Sequence, residues 1–362
     1  MLKGFKSAIK WVIAIVAILL VAIILLNVNG LSVSRKIATI GGVNVTEAEY
    51  KYFLESAKMQ VLSEQGLQEA TDGFWDSEID GKKASVLAKE KAKQQMIRTN
   101  IAVSKALEEK ITLTEEEKAT ARSYTKGASA DEQKQIDETM KTIGASKDVF
   151  ASIMEKALLE QKYYQHLNSQ EDSVLAVDAE EVGKVAEEKY ARVKHVLISN
   201  TPPTQTLTEE NPAVEPVDAE SYAEEAKKKA EDVLKKATSG ENFEKLVDEF
   251  GEDPGMEGNE EGYIIDENGA SLDGQSSMIP EFTAGSFAVK PGEVNPELIE
   301  STYGWHIIKR LPLDTESESY ATILSGAEND AKYDKFLAHL DSFIEKIETQ
   351  INEKIIAKIK VK

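Results

Sequence analysis

Imidazole groups are few in this 362-residue sequence, and it contains no cysteine. The four histidines are His166, His195, His306 and His339. Without cysteine the chain forms no disulfide, no thiolate zinc site, no thiol nucleophile and no lipid-modified N-terminal cysteine. His306 lies in the run Tyr303–Ile308, whose aromatic and β-branched residues alternate with period two after a turn. This pattern predicts a strand that holds the imidazole of His306 on a fixed face.

Two large apolar side chains precede this strand at helical spacing. Met278 and Phe282 are four residues apart and flank Pro280, so a short helix would direct both side chains at one surface. The segment Lys290–Glu293 then predicts a turn, because proline presets the first corner and glycine tolerates the second. The helix, the turn and the histidine-bearing strand together form the first candidate site.

The order of these segments, together with three segments upstream, resembles a parvulin-type peptidyl-prolyl isomerase domain. Arg192–Ile198 is similar to the first strand of that family, which carries a histidine, here His195. Phe243–Val247 and Phe250–Pro254 are similar to its second helix and to the acidic turn that follows. The resemblance covers about a third of the chain. It implies a four-stranded antiparallel sheet with surrounding helices.

This resemblance implies a pocket for a proline ring. Met278 and Phe282 would form the pocket, with Ile264 near its wall. Two features at the pocket rim depart from the family pattern: Glu261 replaces an apolar residue, and the longer segment 266–277 replaces a tight turn. Both departures motivate an alternative in which the domain binds polypeptides without catalysing isomerisation.

The resemblance also implies a polar network beside this pocket. His195 and His306 would lie on adjacent central strands and hydrogen-bond to each other and to Asp253. Ser301 and Tyr303 would complete the network. Because isomerisation transfers no net proton, the histidines are expected to orient other groups rather than to act as general bases; the alternative is that they only stiffen the sheet. Neither a metal ion nor a cofactor is implied.

The charge balance excludes one class of partner. Sixty-four acidic residues against 43 basic residues give a formal charge of −21, which argues against binding to a nucleic-acid backbone and fits an ectodomain that stays dispersed. The loop 200–220 holds four of the nine prolines and no lysine or arginine. Its acidic residues would repel a phosphate, so the domain is predicted not to require phosphorylated substrates.

The N-terminal segment predicts a membrane anchor. Lys3, Lys6 and Lys10 precede the uninterrupted apolar run Trp11–Leu26, whose length lies between those of a secretory signal and a membrane helix. We predict an uncleaved signal anchor that crosses the cell membrane once, with its N-terminus inside; the alternative is a removed signal peptide. Either interpretation places the rest of the chain outside the cytoplasm.

Helices are predicted on both sides of the parvulin-like region. Thr46 with Glu49 and Thr114 with Glu117 form capping boxes at two helix starts. A C-terminal helix is predicted over residues 319–358. The opening segment resembles that of extracytoplasmic foldases of the PrsA and SurA kind, in which the C-terminal helix returns to complete the N-terminal helical domain.

The prediction is therefore an α+β chain in four parts. Residues 1–34 form a cytoplasmic stub and transmembrane helix, and residues 35–190 form an all-α chaperone-like domain. Residues 191–313 form the parvulin-type domain, inserted between the helical segments, and residues 314–362 form a helix that packs on the chaperone domain. The sequence leaves open whether the helical arms form a homodimer.

The function implied by the resemblance is that of a membrane-anchored extracytoplasmic foldase. It would isomerise X–Pro bonds in unfolded or partly folded exported polypeptides and assist their folding, lowering a barrier of about 18–20 kcal/mol that amide resonance sets. The alternative is a non-enzymatic holdase that uses an inactive parvulin domain as a binding platform. The sequence specifies neither the client proteins nor the residue preferred before proline.

Overall fold

A computed structural model describes residues 34–202, 218–257, 259 and 261–361. These residues form two compact units: unit 1 comprises those up to Ala176 and those from Lys332 onward, and unit 2 comprises Val177–Ala331. Among the described residues, no helix combines the length and apolar character needed to cross a membrane. The anchor predicted at Trp11–Leu26 lies outside the described residues, as does most of the proline-rich loop.

Unit 1 begins with two short hairpins and a series of helices. Its strands in this part are β1 (Lys36–Ile40), β2 (Val43–Thr46), β3 (Glu78–Ile79) and β4 (Lys82–Lys83). Its helices in this part are α1 (Glu47–Glu64), α2 (Ala84–Glu108), α3 (Glu115–Ser123), α4 (Ala130–Ile143) and α5 (Lys147–Asn168). Both predicted capping boxes, at Thr46 and at Thr114, are confirmed. Small residues four apart on α2 are fully buried and lie in the core of unit 1: Ala84, Ala88 and Ala92.

Unit 2 consists of one sheet with helices around it. Its strands are β5 (Tyr190–Ser199), β6 (Tyr263–Asp266), β7 (Ile299–Ser301) and β8 (Gly304–Leu311). Its helices are α6 (Ala179–Lys189), α7 (Ala219–Thr238), α8 (Phe243–Phe250) and α9 (Pro280–Phe287), with a 3-10 turn at Pro254–Met256. Helix α6 belongs to this unit because Ala186 packs against Ile323 and Ala327. The unit therefore begins before the predicted boundary at residue 191.

The sheet of unit 2 is antiparallel, with strand order β6-β5-β8-β7, which confirms the predicted four-stranded sheet. Strands β5 and β8 are central and pair over their full common length. The edge strands β6 and β7 contain only four and three residues. Beyond β6 the chain folds back on itself, with bridges at Ile265–Ser271 and Ala270–Ser277. The long segment 266–277 is thus an ordered hairpin along one edge of the sheet.

The two faces of the central strands pack against different helices, as period-two alternation requires. Val196, Ile198, Trp305 and Ile307 face α7 and α8 and form one core cluster. The opposite face carries the histidines, and there Val193 and Ile308 pack with Phe282 of α9. Helix α9 begins at Pro280, which occupies a first-turn position where its missing N–H is not needed.

The C-terminal segment differs from the single helix predicted over residues 319–358. Helix α10 (Glu318–Asp341) ends early, and a turn leads to strand β9 (Thr349–Ile351) and helix α11 (Glu353–Lys358). Strand β9 pairs with β1 and completes a sheet of order β2-β1-β9. The all-α prediction for this region is therefore wrong, because the backbone groups of β1 find partners in a segment more than 300 residues away in the sequence.

A closed ionic network ties the helices of unit 1 to its sheet. The ammonium of Lys156 on α5 is fully buried and donates to Glu49 Oε1 and Oε2 at 2.8 and 3.0 Å. It also donates to the carbonyl oxygen of Asn44 at 2.9 Å and to Asn100 Oδ1. The amide of Asn100 returns a hydrogen bond to Glu49 Oε1 at 3.0 Å. One turn further along α5, Glu160 is also buried, but its Oε2 has no hydrogen-bond partner among the residues that the structure describes.

Candidate active site

The two histidines singled out in the sequence, His306 by its strand pattern and His195 by the family resemblance, meet at the centre of the unit 2 sheet. His195 of β5 lies opposite Ile308, and His306 of β8 lies opposite Leu197, so the two imidazoles are diagonal neighbours on one face. Their rings stack with centroids 5.2 Å apart, and Nδ1 of one lies 3.1 Å from Nδ1 of the other. Both residues are buried. The strand register therefore produces the imidazole pair.

Asp253 supplies the acidic end of the network. Its Oδ2 lies 2.7 Å from His195 Nε2, and its Oδ1 accepts a hydrogen bond from the backbone N–H of Gly255 at 3.0 Å. The hydrogen bond from His195 lowers the pKa of Asp253 to about 2, against the opposing effect of burial. Asp253 is therefore a carboxylate at neutral pH, and His195 Nε2 must be the donor in their hydrogen bond.

The two imidazoles continue the network from Asp253 to Ser301. Burial, followed by the nearby His195, lowers the pKa of His306 to about 4, so His306 is neutral at physiological pH. The Nδ1 atoms of the two imidazoles face each other at hydrogen-bond distance, and His306 Nε2 lies 2.8 Å from the hydroxyl oxygen of Ser301. A continuous hydrogen-bonded network thus runs from Ser301 through both imidazoles to Asp253.

Tyr303 joins this network through its backbone and not through its phenol. Its N–H donates to Ser301 Oγ at 3.1 Å, while the residue is 61% exposed. Tyr303, which was predicted to complete the network with Ser301, therefore contacts it through its backbone N–H. Tyr303 directly precedes Gly304, where β8 begins, and the turn between β7 and β8 directs the side chain to solvent.

The phenol that does join the network belongs to Tyr263, which sequence reasoning missed. Its hydroxyl donates to Asp253 Oδ2 at 2.8 Å. Burial and the adjacent carboxylate raise the pKa of Tyr263, so the phenol stays protonated and remains a donor. Tyr263 begins β6, two residues before the buried Ile265. That spacing, which puts both side chains on one face of a strand, was the available signal.

An apolar wall closes the network on the α9 side. The ring of Phe282 contacts His195 and His306 edge-on, with centroids 4.9 and 5.5 Å away and interplanar angles of 78° and 71°. Phe282 is only 2% exposed, and Met278 is half-buried in the same cluster. The backbone N–H of Met278 donates to the carbonyl oxygen of Gly269 at 2.8 Å. The 266–277 hairpin therefore fixes the chain just before α9.

The structure does not place Ile264 or the Glu261 side chain in this wall. Ile264 packs in a separate cluster with Ala186 and Ile323. Its neighbours Tyr263 and Ile265 face Phe282, so alternation along β6 turns Ile264 to the other face. Glu261 is exposed, and its carbonyl oxygen accepts a hydrogen bond from Arg192 Nε at 2.6 Å. Within the described residues, no group of three or more His, Cys, Asp or Glu side chains could hold a metal ion.

Comparison with known proteins agrees with this geometry. Residues 180–311 match the family described as the PPIC-type PPIASE domain, so the chain carries a parvulin-type PPIase domain. The chain is also homologous to a foldase protein PrsA of Caldanaerobacter subterraneus subsp. tengcongensis. The two are 24% identical over 331 residues, which cover 87% of this chain and 89% of that protein.

Two further relatives define the extent of the similarity. A parvulin-like PPIase of Rickettsia prowazekii is 36% identical over 105 residues, which cover 27% of this chain and 35% of that protein. The crystal structure of the peptidylprolyl isomerase PrsA from Bacillus cereus aligns over 81% of this chain and 92% of its own, at 18% identity and a TM-score of 0.28. A score this low carries no argument, so the assignment depends on the sequence relationships.

Proposed function

We propose that this protein is a membrane-tethered, extracytoplasmic foldase that catalyses cis/trans isomerisation of X–Pro bonds in exported polypeptides. The parvulin-type domain and the homology to a PrsA foldase support the reaction class. The apolar run Trp11–Leu26 with its preceding lysines supports the tether. One observation carries the catalytic assignment: a continuous hydrogen-bonded network from Ser301 to Asp253 lies against the ring of Phe282.

Rotation about an X–Pro bond requires no covalent step. A catalyst has to hold the proline ring, exclude water and favour the twisted amide over both planar forms. In this proposal Phe282 and Met278 hold the ring, and displacement of the half-buried Met278 gives the ring access to Phe282. The carboxylate of Asp253 supplies a fixed negative charge, and the two imidazoles fix its position without moving a net proton.

The catalytic proposal is tested with a refolding reaction limited by proline isomerisation. The full chain should accelerate refolding of such a client. Phe282→Ala should reduce this acceleration at least about tenfold, because the proline ring loses its apolar partner. The control is Phe250→Ala, since Phe250 is half-buried on the opposite face of the sheet, where it stacks with Lys236. The control should keep its acceleration. No acceleration by the parent chain would remove the enzyme assignment.

A second candidate function is that of a holdase in which the parvulin domain only binds. The observation that favours it is the burial of Phe282, which leaves 2% of this residue exposed. This function predicts that the chain suppresses aggregation of a client and that Phe282→Ala suppresses it equally well. A titration of the chain with a short Ala-Pro peptide, in which the exchange rate between the cis and trans forms of the peptide is measured, separates the two functions. Faster exchange together with chemical-shift changes at Met278, Phe282 and His306 supports isomerisation, and an unchanged exchange rate supports the holdase.

A further inference from the structure

We infer that Tyr263 is a positioning residue of the isomerase site, and that residue 255 must be glycine so that the Tyr263 hydroxyl can reach Asp253. This inference rests on the proposed isomerase function for its kinetic consequences. Its structural consequences, at Asp253 and at the two imidazoles, do not depend on turnover. Tyr263 is not expected to touch the proline itself, because its hydroxyl is engaged with Asp253.

The carboxylate of Asp253 is held by three donors. His195 Nε2 and the Tyr263 hydroxyl both donate to Oδ2, at 2.7 and 2.8 Å, and the Gly255 N–H donates to Oδ1 at 3.0 Å. Of these donors, only the Tyr263 hydroxyl could be removed without changing an imidazole or the backbone. It is therefore the group whose effect on the orientation of the carboxylate can be isolated.

The Tyr263 hydroxyl occupies the space that a side chain at position 255 would need. A Cβ atom on Gly255 would lie 1.9 Å from Tyr263 Oη and 3.1 Å from Tyr263 Cζ. Gly255 lies within the 3-10 turn Pro254–Met256 and is not among the residues with positive φ. The glycine is therefore needed for space and not for backbone conformation. The clash is centred on the oxygen, so removal of that oxygen should relieve most of it.

The backbone of Tyr263 cannot move away from such a clash easily. Tyr263 pairs with Val193 on the central strand β5. The preceding Gly262 has φ of 79°, and its N–H donates to Asn259 Oδ1 at 2.9 Å. A Cβ at Gly262 would lie 2.5 Å from the carbonyl oxygen of Val193. The chain at the start of β6 therefore approaches β5 as closely as a glycine allows. The position of the Tyr263 ring is thus set by the sheet.

From this geometry, the hydroxyl of Tyr263 keeps Asp253 Oδ2 directed at His195. Without it, Oδ2 has one protein donor in place of two, and the carboxylate is free to turn about its Cβ–Cγ bond towards solvent. His195 Nε2–H then loses a fixed acceptor, and the hydrogen-bonded imidazole pair loses its fixed partner at Asp253. Tyr263 therefore acts on the reaction through Asp253.

The first test is Tyr263→Phe in the full chain, with Tyr222→Phe as the matched control on the opposite face of the sheet. We expect kcat/KM for an Ala-Pro peptide to fall by up to about tenfold, since a hydrogen bond to a charged group is lost. The hydrogen bond from Tyr263 is one of the contacts that lower the pKa of Asp253. The acid limb of the pH–rate profile should therefore move to higher pH, which a change in packing alone would not cause.

The second test is a double-mutant cycle of Gly255→Ala and Tyr263→Phe. Gly255→Ala should reduce kcat/KM in the parent, because the new methyl group displaces the hydroxyl. It should have much less effect in the Tyr263→Phe background, where the oxygen is absent. Gly183→Ala is the control, because a Cβ at Gly183 meets no atom within 4 Å. Equal losses from Gly255→Ala in both backgrounds would overturn the inference.

A readout without turnover separates this inference from the proposed function. Nitrogen chemical shifts of His195 and His306 report which ring nitrogens carry protons, and the Asp253 carboxyl carbon reports its titration. If the parent chain has no isomerase activity, the proposed function fails, yet these signals should still change in Tyr263→Phe. If they stay at parental values while the variant folds normally, Tyr263 only fills space and the inference is wrong.

Discussion

Each unit of this protein contains a buried polar network, and the two networks differ in how completely they are closed. In unit 1 the side chains of Lys156 and Glu49 are 0% and 1% exposed, and protein atoms alone satisfy the ammonium. In unit 2 the side chain of His195 is 4% exposed, but that of its partner Asp253 is 21% exposed. One network ends within the protein, and the other ends at the surface.

This difference separates a structural role from a functional one. A saturated buried network fixes the relative positions of the elements that contribute to it, and it has no group left over for a ligand. The network of unit 2 instead joins a half-buried hydroxyl, two imidazoles and a partly exposed carboxylate, and one apolar ring lies against it. A ligand that displaces water beside this network would change the electrostatic environment of every residue in it.

The largest expected effect is on the closed network. Lys156→Met removes the cation that pairs with the buried Glu49, so it should lower the free energy of unfolding of unit 1 by about 3–5 kcal/mol. Chemical denaturation followed by signals from unit 1 measures this loss. The double variant Glu49→Gln/Lys156→Met has no uncompensated charge and should recover a large part of it. A loss below about 1 kcal/mol would mean that the network is not as closed as its geometry indicates.

A smaller effect, with opposite signs in the two units, is expected from pH. Burial raises the pKa of Glu160 from 4.5 to about 7. Between these values the folded state keeps a proton that the unfolded state has released, so unit 1 becomes more stable as the pH falls. Burial lowers the pKa of His306 from 6.5 to about 4. Here the unfolded state binds a proton that the folded state excludes, so unit 2 becomes less stable as the pH falls.

Acidification from pH 7 to pH 5 should therefore raise the free energy of unfolding of unit 1 and lower that of unit 2, each by about 2 kcal/mol. Hydrogen exchange measured at the amides of Leu159 and Ile307 follows the two units separately. Glu160→Gln should flatten the pH dependence at Leu159 and leave that at Ile307 unchanged. A parallel response of both amides in this variant and in the parent would contradict the assignment to Glu160.

The smallest effect is expected at the Ser301 end of the network in unit 2. Tyr303→Ala keeps the backbone N–H that donates to Ser301 Oγ, so the free energy of unfolding should change by less than about 0.5 kcal/mol and the imidazole nitrogen shifts should stay at parental values. Ser301→Ala removes the hydroxyl and should alter the shift of His306 Nε2. Equal changes in both variants would show that the Tyr303 side chain takes part after all.

The central part of the site was predictable because its signals are local. His306 lies in a strand predicted from its period-two alternation, and His195 lies in a segment that resembles the first strand of a known family, whose order of motifs the chain follows. Each capping box could be recognised within four residues of sequence. These features depend on neighbours along the chain, which a sequence pattern records directly.

The features that were missed depend on contacts between distant residues or on which face of a strand one residue occupies. Tyr263 meets Asp253 from ten residues further along the chain, and the backbone just before Tyr263 is held by the hydrogen bond from the Gly262 N–H to Asn259 Oδ1. Ile264 was assigned to the pocket wall, but it is one residue out of phase with the face that forms it. Strand β9 has an apolar spacing that continues the helical pattern of α10. Its pairing with β1 is set by the open edge of that strand.

The short edge strands of the unit 2 sheet have a consequence for the proposed function. Exposed strand edges act as templates on which other polypeptides extend a sheet and aggregate. Here one edge strand has three residues, and the other has four and lies against the protein's own hairpin. Such edges offer little backbone for an unfolded polypeptide to pair with. If the proposed function holds, short edge strands limit co-aggregation of the protein with its own substrates.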